Sequence, residues 1–442
     1  MVTRVGNDIF FDDLGAPQFN RLQKLLLSLG KHNKVEFSEA NILNVARKAT
    51  GLSDFGPDDF KRPLNVLIHE YENDPLISPI GRAQVYNDLV RCASNRLIIQ
   101  DRINKAPQLS TIPLKRPLSV SGLPRSGTTH LVNLLAADSR FQKLPLWVAQ
   151  EPFLAPGKEK VSFGLKTRAK LLNTLLNNGD SKTDDPRFYR CSLRWSGMKI
   201  MGPELASMHP MNPDHIHEEL ELMTFDFGCN QFEWTSVTPN YRDYYYATNQ
   251  TPHYAYMKNV LKLLQLERGD NRPWVLKCVQ NPEQLPALNT VFPDSVAILT
   301  HRDPVAVIQS TATMLAWGHR MLRTQVKPRE VLDYWTDKFE KMLRACVRDR
   351  NVFPKSRSLD VLFHEFMAGD MDTVAKIYNL YDLELTSKAK EEMAAFIKAQ
   401  PRGKNGRVRY KLKEHFGISA SEIRERFDFY FKAFPVEIEV PD

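Results

Sequence analysis

Gly122-Leu123-Pro124-Arg125-Ser126-Gly127-Thr128-Thr129 has the frame G-x-x-x-x-G followed by two hydroxyl residues. In such a loop the glycines let backbone N–H groups turn inward around an anion, and the helix that follows adds the positive end of its dipole. The flanks fit. Leu118 to Ser121, after the basic Lys115-Arg116-Pro117, reads as a short buried strand. His130 to Ala137 carries apolar residues at helical spacing. Thr128 stands where a loop for nucleoside triphosphates has its lysine, which argues against that ligand. Arg125, inside the loop, supplies the charge instead.

A second element has the same character. Ser295 to Thr300 is a strand-like apolar run that ends in His301-Arg302-Asp303-Pro304. Pro304 suits the first position of a helix running to about Trp317, with Asp303 as its N-cap. Arg302 lies at the mouth of the strand and Ser310 on the helix that it feeds. A guanidinium and a hydroxyl so placed can clamp one phosphate between them.

From residue 115 onward strand and helix patterns alternate, which predicts an α/β fold with a P-loop-like parallel sheet flanked by helices. The candidate strands are 117–122, 142–147, 274–278, 295–300 and 358–363. Residues 1–112 read as an N-terminal helical cap, with helices over Phe19–Leu29, Ala40–Thr50, Phe60–Glu72 and Pro79–Lys105 and no strand-like alternation. The remainder, 113–442, reads as the catalytic domain. A helical insertion over about 149–273 falls at the carboxyl edge of the sheet, where an acceptor pocket is expected.

The first loop and the later Arg-x₇-Ser pair resemble those of the sulfotransferases that use 3′-phosphoadenosine-5′-phosphosulfate (PAPS), in particular the large bacterial branch with an N-terminal helical extension. The resemblance implies that Pro124, Arg125, Ser126, Gly127, Thr128 and Thr129 hold the 5′-phosphosulfate, and that Arg302 and Ser310 hold the 3′-phosphate. Late in the chain, Pro401-Arg402-Gly403-Lys404-Asn405-Gly406-Arg407 with Tyr410 resembles the basic glycine loop that closes over the 3′-phosphate. Arg402, Gly403 and Lys404 therefore join the expected donor-binding set. The likeness covers about residues 115–435.

Sulfuryl transfer requires a cation at the bridging oxygen that leaves, and usually a base for the acceptor proton. Lys277, at the end of a candidate strand, is the expected cation. Members of the family commonly read K-S-P-x-H-L-x-x-L-P here, whereas this chain reads Lys277-Cys278-Val279-Gln280-Asn281-Pro282-Glu283-Gln284-Leu285-Pro286. Asn281 replaces the histidine; it can orient a hydroxyl but cannot take its proton. The alternative base lies in Asp214-His215-Ile216-His217-Glu218-Glu219-Leu220. Placed on a helix, Glu219 and His215 share the inward arc while Glu218, Glu221 and His217 point outward. Glu219 is then the expected base, with His215 beside it. The segment Leu144-Pro145-Leu146-Trp147 departs from the family as well, since Val148 follows where a glutamate is usual. The aromatic cluster Tyr241 to Tyr246 could line an acceptor pocket for an aromatic or lipidic alcohol, but such density is also how an insertion packs onto its domain, and packing is the favoured expectation.

The expected activity is transfer of a sulfuryl group from PAPS to a hydroxyl of a small-molecule or lipid acceptor, with no metal. Asn281 keeps open a relative that binds PAPS or its product without catalysis. A small-molecule kinase is disfavoured by Thr128 and by the lack of an acidic Mg²⁺ signature. The charge of +8 over 442 residues is modest, and the lysines are scattered. No basic stripe or zinc spacing points to nucleic acid. Five cysteines, odd in number and without C-x-x-C, argue for a reducing compartment. The polar N-terminus does not read as a secretory signal, and no run is apolar enough to span a membrane, so a cytoplasmic location is expected.

Overall fold

The computed structural model describes residues 2–30, 35–176, 183–209, 212–401 and 403–442. Its strands in chain order are β1 (Val2–Val5), β2 (Asp8–Phe11), β3 (Leu118–Gly122), β4 (Val275–Cys278), β5 (Val296–His301), β6 (Ser358–Leu362) and β7 (Arg407–Val408). Strands β3 to β6 form one parallel sheet in the order β4-β3-β5-β6. The register sets Val120 beside Lys277 and Gly122 beside Thr300. Alternation decides the faces. Leu118, Val120 and Ile298 pack with Leu131, Leu135 and Ile377, while Leu276, Ala297 and Leu299 pack with Leu288 and Phe292. A parallel sheet covered on both faces explains why its strands read as unbroken apolar runs.

Four helices, α1 (Arg21–Gly30), α2 (Glu39–Thr50), α3 (Lys61–Asn73) and α4 (Pro79–Asn104), occupy the stretches that periodicity predicts. Ser78 caps α4 by accepting from the Gly81 N–H at 3.0 Å, with Pro79 opening the helix. Leu43, Leu64, Leu89 and Leu97 belong to the same apolar cluster as Trp274, Leu276 and Leu299, so α2, α3 and α4 share one core with the sheet.

Two expectations need correction. Residues before α1 form the antiparallel hairpin β1–β2, whose second strand pairs in parallel with β7, about 400 residues later. Strands of four residues carry too little alternation to be read locally, and their partner is remote. The stretch 142–147 is not a strand. Only Gln142 and Pro145 make isolated bridges, and Leu146–Gln150 turns helical, because Pro145 cannot donate to a ladder.

The turn that follows β4, Asn281–Glu283, is tied to the helix carrying Lys338 by a buried ion triad. Lys338 Nζ lies 2.9 Å from Glu233 Oε1 and 3.2 Å from Glu283 Oε1, all three side chains being at most 1% exposed. Tyr334 donates to Glu233 at 2.7 Å and Tyr246 to Glu283 at 2.8 Å. Lys338 also sits over the rings of Tyr245 and Tyr246, so the tyrosine cluster packs the insertion as expected. Removing one partner of such a group leaves an uncompensated buried charge. Lys338→Met should lower stability to urea unfolding by about 3–5 kcal/mol. Adding Glu233→Gln and Glu283→Gln should return part of that loss.

Candidate active site

The loop leaving β3 is built by backbone geometry. Gly127 has φ +88° and Arg125 φ +66°, a left-handed conformation that few non-glycine residues adopt. Helix α5 (Thr128–Leu135) starts immediately after, so the N–H groups of its first turn have no acceptor within the helix. Position 122 has no room for a side chain, since a Cβ there would lie 2.0 Å from Thr300 Oγ1. Ser126 points into the fold. Its hydroxyl donates to the Leu123 carbonyl at 2.5 Å and shares a 2.6 Å hydrogen bond with Thr300 Oγ1, so its side chain fastens the loop to β5.

The two anion motifs meet. Arg125 Nε donates to Ser310 Oγ at 3.1 Å, and Ser310 shares a 2.7 Å hydrogen bond with the Tyr410 hydroxyl. The Arg302 guanidinium donates to the Arg125 carbonyl. Asp303 caps the Pro304–Leu322 helix by accepting from the Val305 N–H at 2.8 Å, which fixes Arg302 and Ser310 relative to each other. Arg302 also lies over the Phe363 ring and makes two bonds to Glu439, at 2.7 Å from Oε1 and 2.6 Å from Oε2. A carboxylate of the C-terminal tail thus occupies the fork of the arginine expected to bind phosphate. Asp303 holds that tail by accepting from the Glu439 N–H at 2.9 Å.

The late glycine loop lies further off. Gly403 and Gly406 take positive φ, and Lys404 turns back to the Ala399 carbonyl rather than toward Arg302. Arg402 lies outside the described residues. Tyr410 is what this region contributes to the cluster.

Lys277 is 2% exposed at its side chain and pairs with Glu218. The segment before Leu220 is extended rather than helical: Ile216 bridges Pro145, and the His217 N–H donates to the Leu144 carbonyl at 2.9 Å. The inward and outward faces expected of a helix therefore do not apply. Glu219 turns away from the cavity; its Oε2 accepts from the Lys277 backbone N–H at 2.6 Å. Burial, helped by the Glu218 charge, raises the Glu219 carboxyl to about 7. Burial also acts to raise Glu218, but the Lys277 ammonium beside it outweighs that and holds its carboxyl below the usual range. His215 is buried and held well below the ordinary histidine value by desolvation and by His217, His209 and Lys277. Asn281 lies beneath the sheet, donating to Ser119 and Ser121 Oγ and accepting from the Tyr254 hydroxyl at 2.8 Å. It does not face the cavity.

That cavity, of about 270 Å³, is lined by Pro124, Arg125, Thr128, Thr129, Lys277 and Glu218. Trp195, Met198, Leu205, Trp234, Met314 and Leu315 form its apolar wall, and Asp88, Arg91, Arg194 and Glu221 line it as well. Sequence reading passed over Glu218, Trp195 and Glu439.

A model of the sulfotransferase family matches residues 117–387. No curated protein matches the chain. Among solved structures, the chain is similar to the sulfotransferase STF1 from Mycobacterium tuberculosis H37Rv, with a TM-score of 0.73 and 23% identity over 90% of this chain and 99% of that one. It is also similar to the sulfotransferase STF9 from Mycobacterium avium, with a TM-score of 0.76 and 22% identity over 92% of this chain and 99% of that one.

The close approach at Gly122 makes a specific demand on the loop. Gly122→Ala should lower unfolding stability by about 1–3 kcal/mol through overpacking and weaken anion binding at the loop. Thr300→Ala on that background, by removing Oγ1, should recover part of both in urea melts and sulfate titrations.

Proposed function

The chain belongs to the sulfotransferase family, and on that premise we propose that it transfers a sulfuryl group from PAPS to a hydroxyl of a small-molecule or lipid acceptor. The observation that carries the donor assignment is the two-pronged hold of Glu439 on Arg302, an anion already seated where the 3′-phosphate is expected. Bidentate pairing with an arginine fork suits a carboxylate and a phosphate alike. The opening N–H groups of α5, with Arg125, Thr128 and Thr129, fit the 5′ end. When bound, PAPS supplies an activated sulfuryl group on a phosphate leaving group.

The residues of the chain divide the remaining work. Arg302 and Ser310 anchor the 3′-phosphate, with Tyr410 fixing the Ser310 hydroxyl. Lys277 sets a positive charge in the cavity that the loop also lines, suited to the negative charge that develops on the leaving oxygen. Glu218, ionised by its pairing with Lys277, is the carboxylate that faces the acceptor and can receive its proton. Glu219 positions Lys277 by holding its backbone N–H. Because the side chain at position 281 lies under the sheet, asparagine there does not deprive the cavity of a base. The apolar wall favours an acceptor with a hydrophobic body and a hydroxyl tip.

Three outcomes test this reading. By calorimetry, 3′-phosphoadenosine-5′-phosphate should bind far more tightly than AMP, and Arg302→Ala should remove about 2–4 kcal/mol of that affinity. Equal binding of the two nucleotides would refute the donor assignment. Glu439→Gln should tighten the 3′-phosphorylated nucleotide and leave AMP unchanged. Glu218→Gln and Lys277→Ala should each lower kcat in a labelled-sulfate transfer assay, the first by roughly 10²–10⁴, with nucleotide affinity retained.

A further inference from the structure

Three imidazoles converge at the edge of the same cavity. His209, His215 and His217 each offer a ring nitrogen such that all three atoms lie within 4.8 Å of one another. The ring centroids are 5.7 Å apart for His209 and His215, 6.1 Å for His209 and His217, and 5.6 Å for His215 and His217. The arrangement follows from the backbone. His215 and His217 flank Ile216 in an extended segment and so share a face. His209 follows the short Leu205–Met208 helix and stacks on the Trp195 ring.

Two of these imidazoles carry a buried ring nitrogen that no described residue satisfies. His215 Nε2 and His217 Nδ1 are buried without a hydrogen-bond partner, on residues 6% and 8% exposed. Buried polar atoms are nearly always paired, so two orphans side by side point to a missing partner. The other nitrogen of His217 does have one: Nε2 lies 3.5 Å from Glu221 Oε1. A carboxylate behind the remote nitrogen is the arrangement that fixes tautomer and orientation in a metal-bound histidine.

We propose that His209, His215 and His217 bind a divalent transition cation of the zinc class, with a fourth coordination position open to the cavity that His209 and His217 line. Three neutral imidazoles suit zinc and its borderline neighbours, whereas magnesium and calcium take oxygen donors. Small ring rotations would bring the nitrogens to the roughly 3.4 Å separation that a tetrahedral centre with bonds of about 2.0–2.1 Å requires. Three protein ligands leave one place for water or an acceptor oxygen. The site departs from the metal-free expectation because the spacing H-x₅-H-x-H matches neither a zinc finger nor H-E-x-x-H.

The test is direct metal binding by the untagged full chain, stripped with a chelator and titrated with Co²⁺ and with Zn²⁺ in competition. Wild type should take up one equivalent of Co²⁺, with the visible absorption bands of a four-coordinate nitrogen site, and Zn²⁺ should displace it. His217→Ala and His209→Ala should each weaken binding by more than about a hundredfold, beyond the roughly 10–100-fold that loss of an outer-shell partner such as Glu221→Gln brings. His209 is the least buried of the three, so its variant carries the test if His217→Ala fails to fold. No visible band and no retained metal in wild type, or undiminished binding in a folded variant, would overturn the proposal.

Discussion

Gly122 and Thr300 end neighbouring parallel strands at the same level, and the rest of the site depends on that pairing. It sets the anion loop beside His301-Arg302, lets the Ser126 hydroxyl clasp Thr300, and brings the Arg302 guanidinium to the Arg125 carbonyl. A side chain at position 122 would drive the two strand ends apart. Parallel strands deliver all their carboxyl ends to one edge, so Lys277 of β4 arrives there too, paired with Val120 of β3.

The cations of the site are held ready by internal partners. Arg302 grips Glu439, Lys277 pairs with Glu218, and Arg125 donates to Ser310. On the proposed donor site, ligand capture at Arg302 would exchange one anion for another, and the tail that supplies Glu439 is itself fastened through Asp303, the cap of the helix bearing Ser310. Two adjacent carboxylates are driven apart in character by their surroundings. Lys277 keeps Glu218 ionised, while burial beside that charge lifts Glu219 to about 7. Such a split separates roles between chemically identical side chains.

How much of this was legible in the sequence depends on how local each cause is. The loop, the strand before it, the Asp303 cap and the four N-terminal helices follow from residues within a few positions of one another. The meeting of Arg125 with Ser310 was foreshadowed because each motif ends a strand of one parallel sheet. The hairpin β1–β2 was hidden because β7 lies at the other end of the chain. The stretch from His215 to Glu219 misled because five residues cannot separate a helical from an extended pattern, and Pro145 and Leu144 decide the matter from outside. Glu439 lies in a tail with no motif at all.

The central claim is that Arg302 and Ser310 form the 3′-phosphate site and that Glu439 marks it. A crystal structure of the protein with 3′-phosphoadenosine-5′-phosphate tests it most directly. The account predicts the 3′-phosphate on Arg302 and Ser310, with Glu439 displaced from the guanidinium. A nucleotide bound with its 3′-phosphate elsewhere, and Glu439 still seated on Arg302, would contradict it.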